Sequence, residues 1–306
     1  WTGDIGISIA KAFQEKYGIK VEVITGRGAE FIERLKTEKR SGKMVADLFE
    51  GGTPHAVNIK LAGLTASSKD VPALRDLGVF VDSPFIPDPD GHVLAYNVYL
   101  YSPYINTNLI KPGEEPKAWK DLLDPKWKGR MMFGSPKVSM VVYMQFWPLK
   151  AAGVVDMDYL RALGKQDLLW TTGTAEDTRK LSTGERDMSI FGTPVTMGQA
   201  IADGAPIKAI PMEPAMAAAN ISLAAIKDGP HPNATRLLIN WMMTSEGQLA
   251  HNKPRKTSSL LKGGISFLPQ AADVKATRIV GTTPKLLEDE AKDFNDKVMV
   301  KEWGAE

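Results

Sequence analysis

Three short apolar runs in this chain end in the same kind of turn, a glycine and a hydroxyl residue followed by proline. Phe49 leads through Gly51 to Gly52-Thr53-Pro54, Phe133 to Gly134-Ser135-Pro136, and Phe191 to Gly192-Thr193-Pro194. Each reads as a helix start, because the hydroxyl can accept from the orphan N–H groups of a first turn while proline sits where its missing donor costs nothing. Three further loops pair a hydroxyl with glycine: Thr2-Gly3, Thr25-Gly26 and Thr172-Gly173, the last followed by Thr174-x-x-Asp177 at capping-box spacing. Strands that run repeatedly into helix starts specify an α/β chain with parallel strands.

The pattern between the turns agrees with this. Ile5, Ile9, Phe13 and Tyr17 recur every four residues before Gly18, which predicts an amphipathic helix with a C-terminal glycine. Ile19 to Val23 alternates strictly and predicts a strand. Gly26-Arg27-Gly28 opens a second helix carrying Phe31, Ile32 and Leu35, and Val45 to Phe49 predicts a buried strand. Two long β-prone runs, His92 to Asn106 and Ala219 to Ile226, stand apart from this alternation. With about 150 residues per domain, 306 residues suffice for two units. The two β-prone runs then predict a two-lobed α/β protein with a hinge of two crossing strands. One lobe comprises 1–103 plus about 217–265, the other 104–216 plus about 266–306.

Composition excludes several functions. Lys and Arg number 38 against 36 Asp and Glu, too balanced for the concentrated basic field that nucleic-acid or membrane-surface binding needs. The absence of cysteine removes disulfides, thiolate metal sites and cysteine nucleophiles. His55, His92, His231 and His251 show no His-x3-His spacing, so no zinc site is expected. No apolar run approaches the ~18 residues of a membrane span. The chain starts at Trp1, as if at the end of a strand, so a preceding segment is expected to have been processed or trimmed, and a secretory signal would fit. No G-x-S-x-G or Walker A motif is present, and Gly26-Arg27-Gly28-Ala29-Glu30-Phe31 has Phe where a dinucleotide fingerprint needs its third glycine. No nucleophile, acid/base pair or cofactor cradle emerges, so the protein is read as a non-enzyme without cofactor.

In an open α/β sheet, ligands sit beyond the carboxyl ends of the strands, where helix N-termini also point. Loops with free N–H groups, a positive dipole end and close backbone approach suit an anion or a polyhydroxylated ligand. Simple capping explains each loop singly, and only their number favours ligand binding.

The chain resembles the periplasmic solute-binding proteins of ABC importers, in the branch that includes ferric-ion, thiamine and phosphonate receptors. The resemblance is carried by Ala12-Phe13-Gln14-Glu15-Lys16-Tyr17-Gly18-Ile19-Lys20-Val21, by Ala46-Asp47 with Gly51-Gly52, by Ile105-Asn106-Thr107-Asn108-Leu109-Ile110, by Trp119 to Gly129, and by His231-Pro232-Asn233-Ala234 leading to Ser245-Glu246-Gly247-Gln248. It implies a two-lobed type II binding-protein fold that closes over a solute and delivers it to ABC permease subunits. It also implies a monomer that is periplasmic or extracellular, free or lipid-anchored. Ferric members carry adjacent tyrosines after the strand matching Met188 to Phe191; here Gly192-Thr193-Pro194 follows, so a small organic anion is expected in place of iron. A metal receptor lacking the tyrosine pair, or an enzyme on a similar scaffold, are the alternatives. The expected contacts are Thr2, Gly28, Gly52 and Thr53 from one lobe and Ser135, Ser139, Thr172 and Thr193 from the other. Arg27 and Lys137 would supply counter-charge, and Trp1 and Trp170 would stack on the ligand.

Overall fold

The structure, a computed structural model, describes residues 3–26, 28–73, 88, 90–137, 141–252, 278–281 and 303. Trp1, Thr2, Arg27 and Ser139 lie outside the described residues. The described residues divide into two compact units, one holding the chain up to Val98 and again from Asn220 to Asn252, the other Tyr99–Ala219 with Arg278–Val280 and Trp303. The chain therefore passes between units at Val98 to Tyr99 and at Ala219 to Asn220, both within β-prone runs.

The first unit opens with helix α1 (Gly3–Tyr17), whose Ile5, Ile9 and Phe13 are buried and whose end is fixed by Gly18 at φ 68°. Helix α2 (Gly28–Arg40), strand β1 (Leu48–Gly52), helix α3 (Thr53–Leu61), the short β2 (Thr65–Ala66) and β3 (Leu94–Leu100) follow. The second unit contains β4 (Ser102–Asn106), β5 (Met131–Gly134), helices α4 (Val141–Ala151) and α5 (Met157–Gly164), β6 (Leu169–Thr171), α6 (Thr174–Thr183), β7 (Met188–Gly192), α7 (Pro194–Ala202) and β8 (Ile207–Ala209). The twelve-residue β9 (Ala215–Ile226) runs back into the first unit, which is completed by α8 (Pro232–Met242) and α9 (Ser245–Asn252). The short β10 (Arg278–Val280) pairs in parallel with the start of β9.

In the first unit β9 is the central strand. It carries β1 antiparallel, from Leu48 opposite Ala225 to Gly52 opposite Ile221, and also pairs with β2 and β3. The parallel pairing expected of Val45 to Phe49 is not what forms. The paired strand starts at Leu48, because the amides of Val45 and Ala46 are taken by the Glu38 carboxylate at 2.9 and 3.1 Å. Ile19 to Val23 is likewise not a strand, although its alternation survives: Ile19, Val21 and Val23 are half-buried while Lys20 and Glu22 are exposed and pair with each other at 2.7 Å. A groove of about 790 Å³ lies between this segment and Lys43–Glu50. Phe13 packs on Tyr17 and Trp241 at ring distances of 4.9 and 5.6 Å and ties α1 to α8. Each such fully buried side chain contributes about 1.5–3 kcal/mol through area removed from water.

The second unit holds a five-stranded sheet in the order β6-β5-β7-β4-β8. Neighbours β6, β5 and β7 are parallel, whereas β4 is antiparallel to both β7 and β8. The run His92 to Asn106 is thus two strands, broken at Tyr101, whose amide donates to the Ala217 carbonyl at 2.9 Å. Aromatic rings fill the space under β5. Phe133 and Phe146 lie 5.6 Å apart, and the Trp303 ring stands 5.6 Å from Phe133, with its Nε1 donating to the Leu160 carbonyl at 2.7 Å.

Candidate functional site

Because β6, β5 and β7 are parallel neighbours, their carboxyl ends share one edge of the second unit's sheet. Thr171-Thr172-Gly173, Gly134-Ser135 and Gly192-Thr193 therefore stand side by side there. The register places Gly134 opposite Thr171, and the Ser135 amide extends the ladder by donating to the Thr171 carbonyl at 2.8 Å.

The hydroxyls do not cap as expected. Thr193 is the N-cap of α7 in extended conformation, yet its side chain makes no cap hydrogen bond. Helix α6 begins at Thr174 with Gly173 as N-cap at φ 138°, a backbone conformation that favours glycine, and again has no side-chain cap. The predicted box Thr174-x-x-Asp177 thus does not form, because the helix starts one residue earlier than it requires. Glu176, three residues after Gly173, reaches back and accepts from both the amide and Oγ1 of Thr172 at 2.8 Å. These bonds, the backbone one foremost, hold the Glu176 carboxyl below the usual range, so an ionised carboxylate stands at this edge. Lys137, two residues beyond Ser135, is exposed and offers the opposite charge.

Behind the loops lies a buried carboxylate, Asp177, whose spacing from Thr174 had predicted a cap. Asp177 accepts from Thr171 Oγ1 at 2.6 Å, and Ser189 Oγ lies 3.1 Å from its other oxygen. Burial pushes its pKa up to about 6 against the opposing effect of the two hydroxyls. The available signal was Ser189, a lone polar residue inside the apolar strand Met188 to Gly192.

In the first unit the N-cap of α3 is Gly52 and not the expected Thr53, which is instead the first helical residue; no side-chain cap bond forms, and Pro54 lies inside the first turn. Thr53 is buried, and its Oγ1 lies 2.7 Å from Ser222 Oγ on β9, so this hydroxyl is committed to the sheet. Next to that loop the Tyr96 hydroxyl lies 2.6 Å from Glu50 Oε1 and 2.7 Å from His251 Nδ1, a polar cluster drawn from β1, β3 and α9 in which Tyr96 and His251 are buried and Glu50 half-buried. No sequence pattern joins residues so far apart in the chain. Gly28 stands at the first position of α2. Trp170 is half-buried on β6, with its ring 5.8 Å from that of Trp303. Among the described residues no group of three or more His, Asp or Glu side chains could hold a metal ion, and no helix is long and apolar enough to cross a membrane.

Comparison with known proteins follows the same outline. The family described as bacterial extracellular solute-binding protein matches residues 8–276. An uncharacterised Haemophilus influenzae protein is 25% identical over 260 residues, spanning 78% of this chain and 69% of its own. Iron-bound HitA from Pseudomonas aeruginosa superposes with a TM-score of 0.78 at 21% identity, covering 97% of this chain and 96% of that one. AfuA from Actinobacillus pleuropneumoniae, solved with fructose-6-phosphate, superposes with a TM-score of 0.75 at 16% identity, covering 99% and 96%.

Proposed function

The chain belongs to the bacterial extracellular solute-binding protein family and has the two-lobed type II fold of the receptors that serve ABC importers; from that premise we propose that its solute is a small organic anion. The observation that carries this reading is the shared edge of β6, β5 and β7, where three hydroxyl-glycine loops meet and the N-caps of α6 and α7 make no side-chain cap bond. First-turn N–H groups without such a partner favour negative charge on a ligand. Ser135, Lys137, Trp170, Thr172 and Thr193 are assigned to the solute from the second unit, and Gly28 and Gly52 from the first, whereas the buried Thr53, expected as a contact, is withdrawn because its hydroxyl is committed to Ser222. Trp1, Thr2, Arg27 and Ser139 remain assigned on sequence alone. The protein acts as a monomer outside the cytoplasm, free or lipid-anchored, and delivers the solute to permease subunits by hinge bending.

Native mass spectrometry of the protein as purified should show one retained small molecule per chain. Against that molecule, Thr193→Val and Ser135→Ala should weaken binding at least tenfold. Their folding free energy should fall by no more than the about 0.5–2 kcal/mol of a lost cap. Unchanged affinity in both variants sinks the loop assignment.

The second reading is a ferric receptor, favoured by HitA, which was solved with iron, and by the Synechocystis iron uptake protein A1, 29% identical over 126 residues that span 40% of this chain and 32% of that protein. Stoichiometric iron in protein purified without chelator would establish it in place of the organic anion.

A further inference from the structure

The Asp177 carboxyl is fully buried, and its hydrogen bonds go to neighbouring strands instead of to its own helix end. Oδ1 accepts from Thr171 Oγ1 at 2.6 Å. Ser189 Oγ lies 3.1 Å from Oδ2 and also 2.6 Å from the Phe191 carbonyl oxygen. A serine hydroxyl has one proton to donate. Both contacts are satisfied together only if Oδ2 carries a proton and donates to Ser189 Oγ, whose own proton then goes to the Phe191 carbonyl. On ionisation, the Ser189 hydroxyl must turn to the carboxylate, and the Phe191 carbonyl loses that donor. Phe191 immediately precedes Gly192 and Thr193, and Thr171 immediately precedes Thr172.

We propose that Asp177 is a positioning residue that joins the carboxyl ends of β6 and β7 through a relay from Asp177 to Ser189 to the Phe191 carbonyl, so that its ionisation shifts the Gly192-Thr193 loop and makes solute affinity proton-linked. The inference rests on the assignment of Thr172 and Thr193 to the solute site.

The surroundings favour the neutral acid. Strands β5, β6 and β7 and helix α7, all packed on α6, carry no ionisable side chain other than the chain's threonine and serine hydroxyls. Strand β4 brings only Tyr104, whose own ionisation is suppressed by burial. On α6 itself, Glu176 is a like charge that disfavours a second carboxylate, and Lys180 is engaged by Glu176 at 3.7 Å and by Glu185. Arg179 is the remaining charge of that helix next to these groups. With no cation paired to it, the buried carboxyl titrates near pH 6, within the range an extracytoplasmic protein meets.

The test reads amide signals and affinity separately. In the wild type, the Gly192, Thr193 and Thr172 amide resonances should move with one midpoint near pH 6. Asp177→Asn, which mimics the neutral acid, should abolish that movement, and Ser189→Ala should abolish it at Thr193 while leaving it at Thr172. The serine variant keeps the idea testable if the asparagine variant does not fold. Inorganic sulfate, whose charge is constant over this range, should bind wild type about three- to tenfold more tightly at pH 5.5 than at pH 7.5, and Asp177→Asn equally at both. Amides that stay still in the wild type, or titrate alike in Asp177→Asn, overturn the relay. Failure of sulfate to bind either protein counts against the anion reading alone, because the amide titration decides the relay by itself.

Discussion

At Gly192 the absence of a side chain sets the geometry of the strand end. A Cβ built there would lie 2.4 Å from Cδ2 of Tyr104 and 3.1 Å from the Met197 methyl, and the Tyr104 ring is fully buried with no room to retreat. Gly192→Ala is therefore expected to destabilise the second unit by about 1–3 kcal/mol through overpacking. Adding Tyr104→Ala should relieve the contact, so the double variant should be more stable than the sum of the single losses predicts. Chemical denaturation of the four proteins measures this, and strict additivity would show that the contact is not the cause. The glycine itself was legible in the sequence as part of a repeated turn, but its reason was not: nothing in Gly-Thr-Pro says that a tyrosine from a strand almost ninety residues earlier lies beneath it. Asp177 shows the same limit. Its spacing from Thr174 suggested a cap, a local rule, whereas its burial and its partners Thr171 and Ser189 depend on which strands become neighbours.

Among the elements, the amphipathic helices were the most legible, because a 3.6-residue period needs only one neighbouring surface to be fulfilled. The buried positions Ile5, Ile9 and Phe13 fall where the period put them. Strand pairing was less legible: alternation over Ile19 to Val23 fixes which face is apolar but does not supply a partner edge. Within Lys43 to Asp47, the Val45 and Ala46 amides depend on a side chain for their partner. Glu38, on α2, accepts from the Val45 and Ala46 amides and from Arg34 Nε at 2.9 Å. Burial alone would raise its carboxyl, but the two amides and the guanidinium outweigh burial and hold it below the usual glutamate value. Its folded pKa is thus depressed. The stabilisation it provides is complete above the unfolded value of about 4.5 and is lost as pH falls through the lower folded value. Glu38→Ala should cost about 1.5–3 kcal/mol at pH 7, the value of charge-assisted bonds whose amides are left unpaired. The difference from wild type should shrink toward pH 3. An equal difference at both pH values would mean that Glu38 acts through packing alone.

For the molecule as a whole, the two-lobed class was legible because the chain carries two β-prone runs and more residues than one core needs, and β9 does run from one unit into the other. The proposed solute chemistry was not, since the loops assigned to it come from distant strands. The charge count nevertheless constrains how the solute is attracted. With 38 basic and 36 acidic side chains, the molecule has no strong net field to steer an anion. At the β6-β5-β7 edge the ionised Glu176, with Lys180 3.7 Å away, opposes an incoming anion, so attraction of the proposed anion there would come mainly from peptide N–H groups. Such dipoles act at hydrogen-bond range, shorter than the Debye length of about 10 Å at 0.1 M salt. The affinity for the copurified solute should therefore change by less than about threefold when salt rises from about 20 mM to about 500 mM, with Lys137→Gln costing less than Thr193→Val. A tenfold or greater loss with salt, together with a Lys137→Gln effect that exceeds that of Thr193→Val, would shift the recognition from backbone dipoles to surface charge. The capture of a solute by this protein would then be an electrostatic encounter for which its neutral composition is poorly suited.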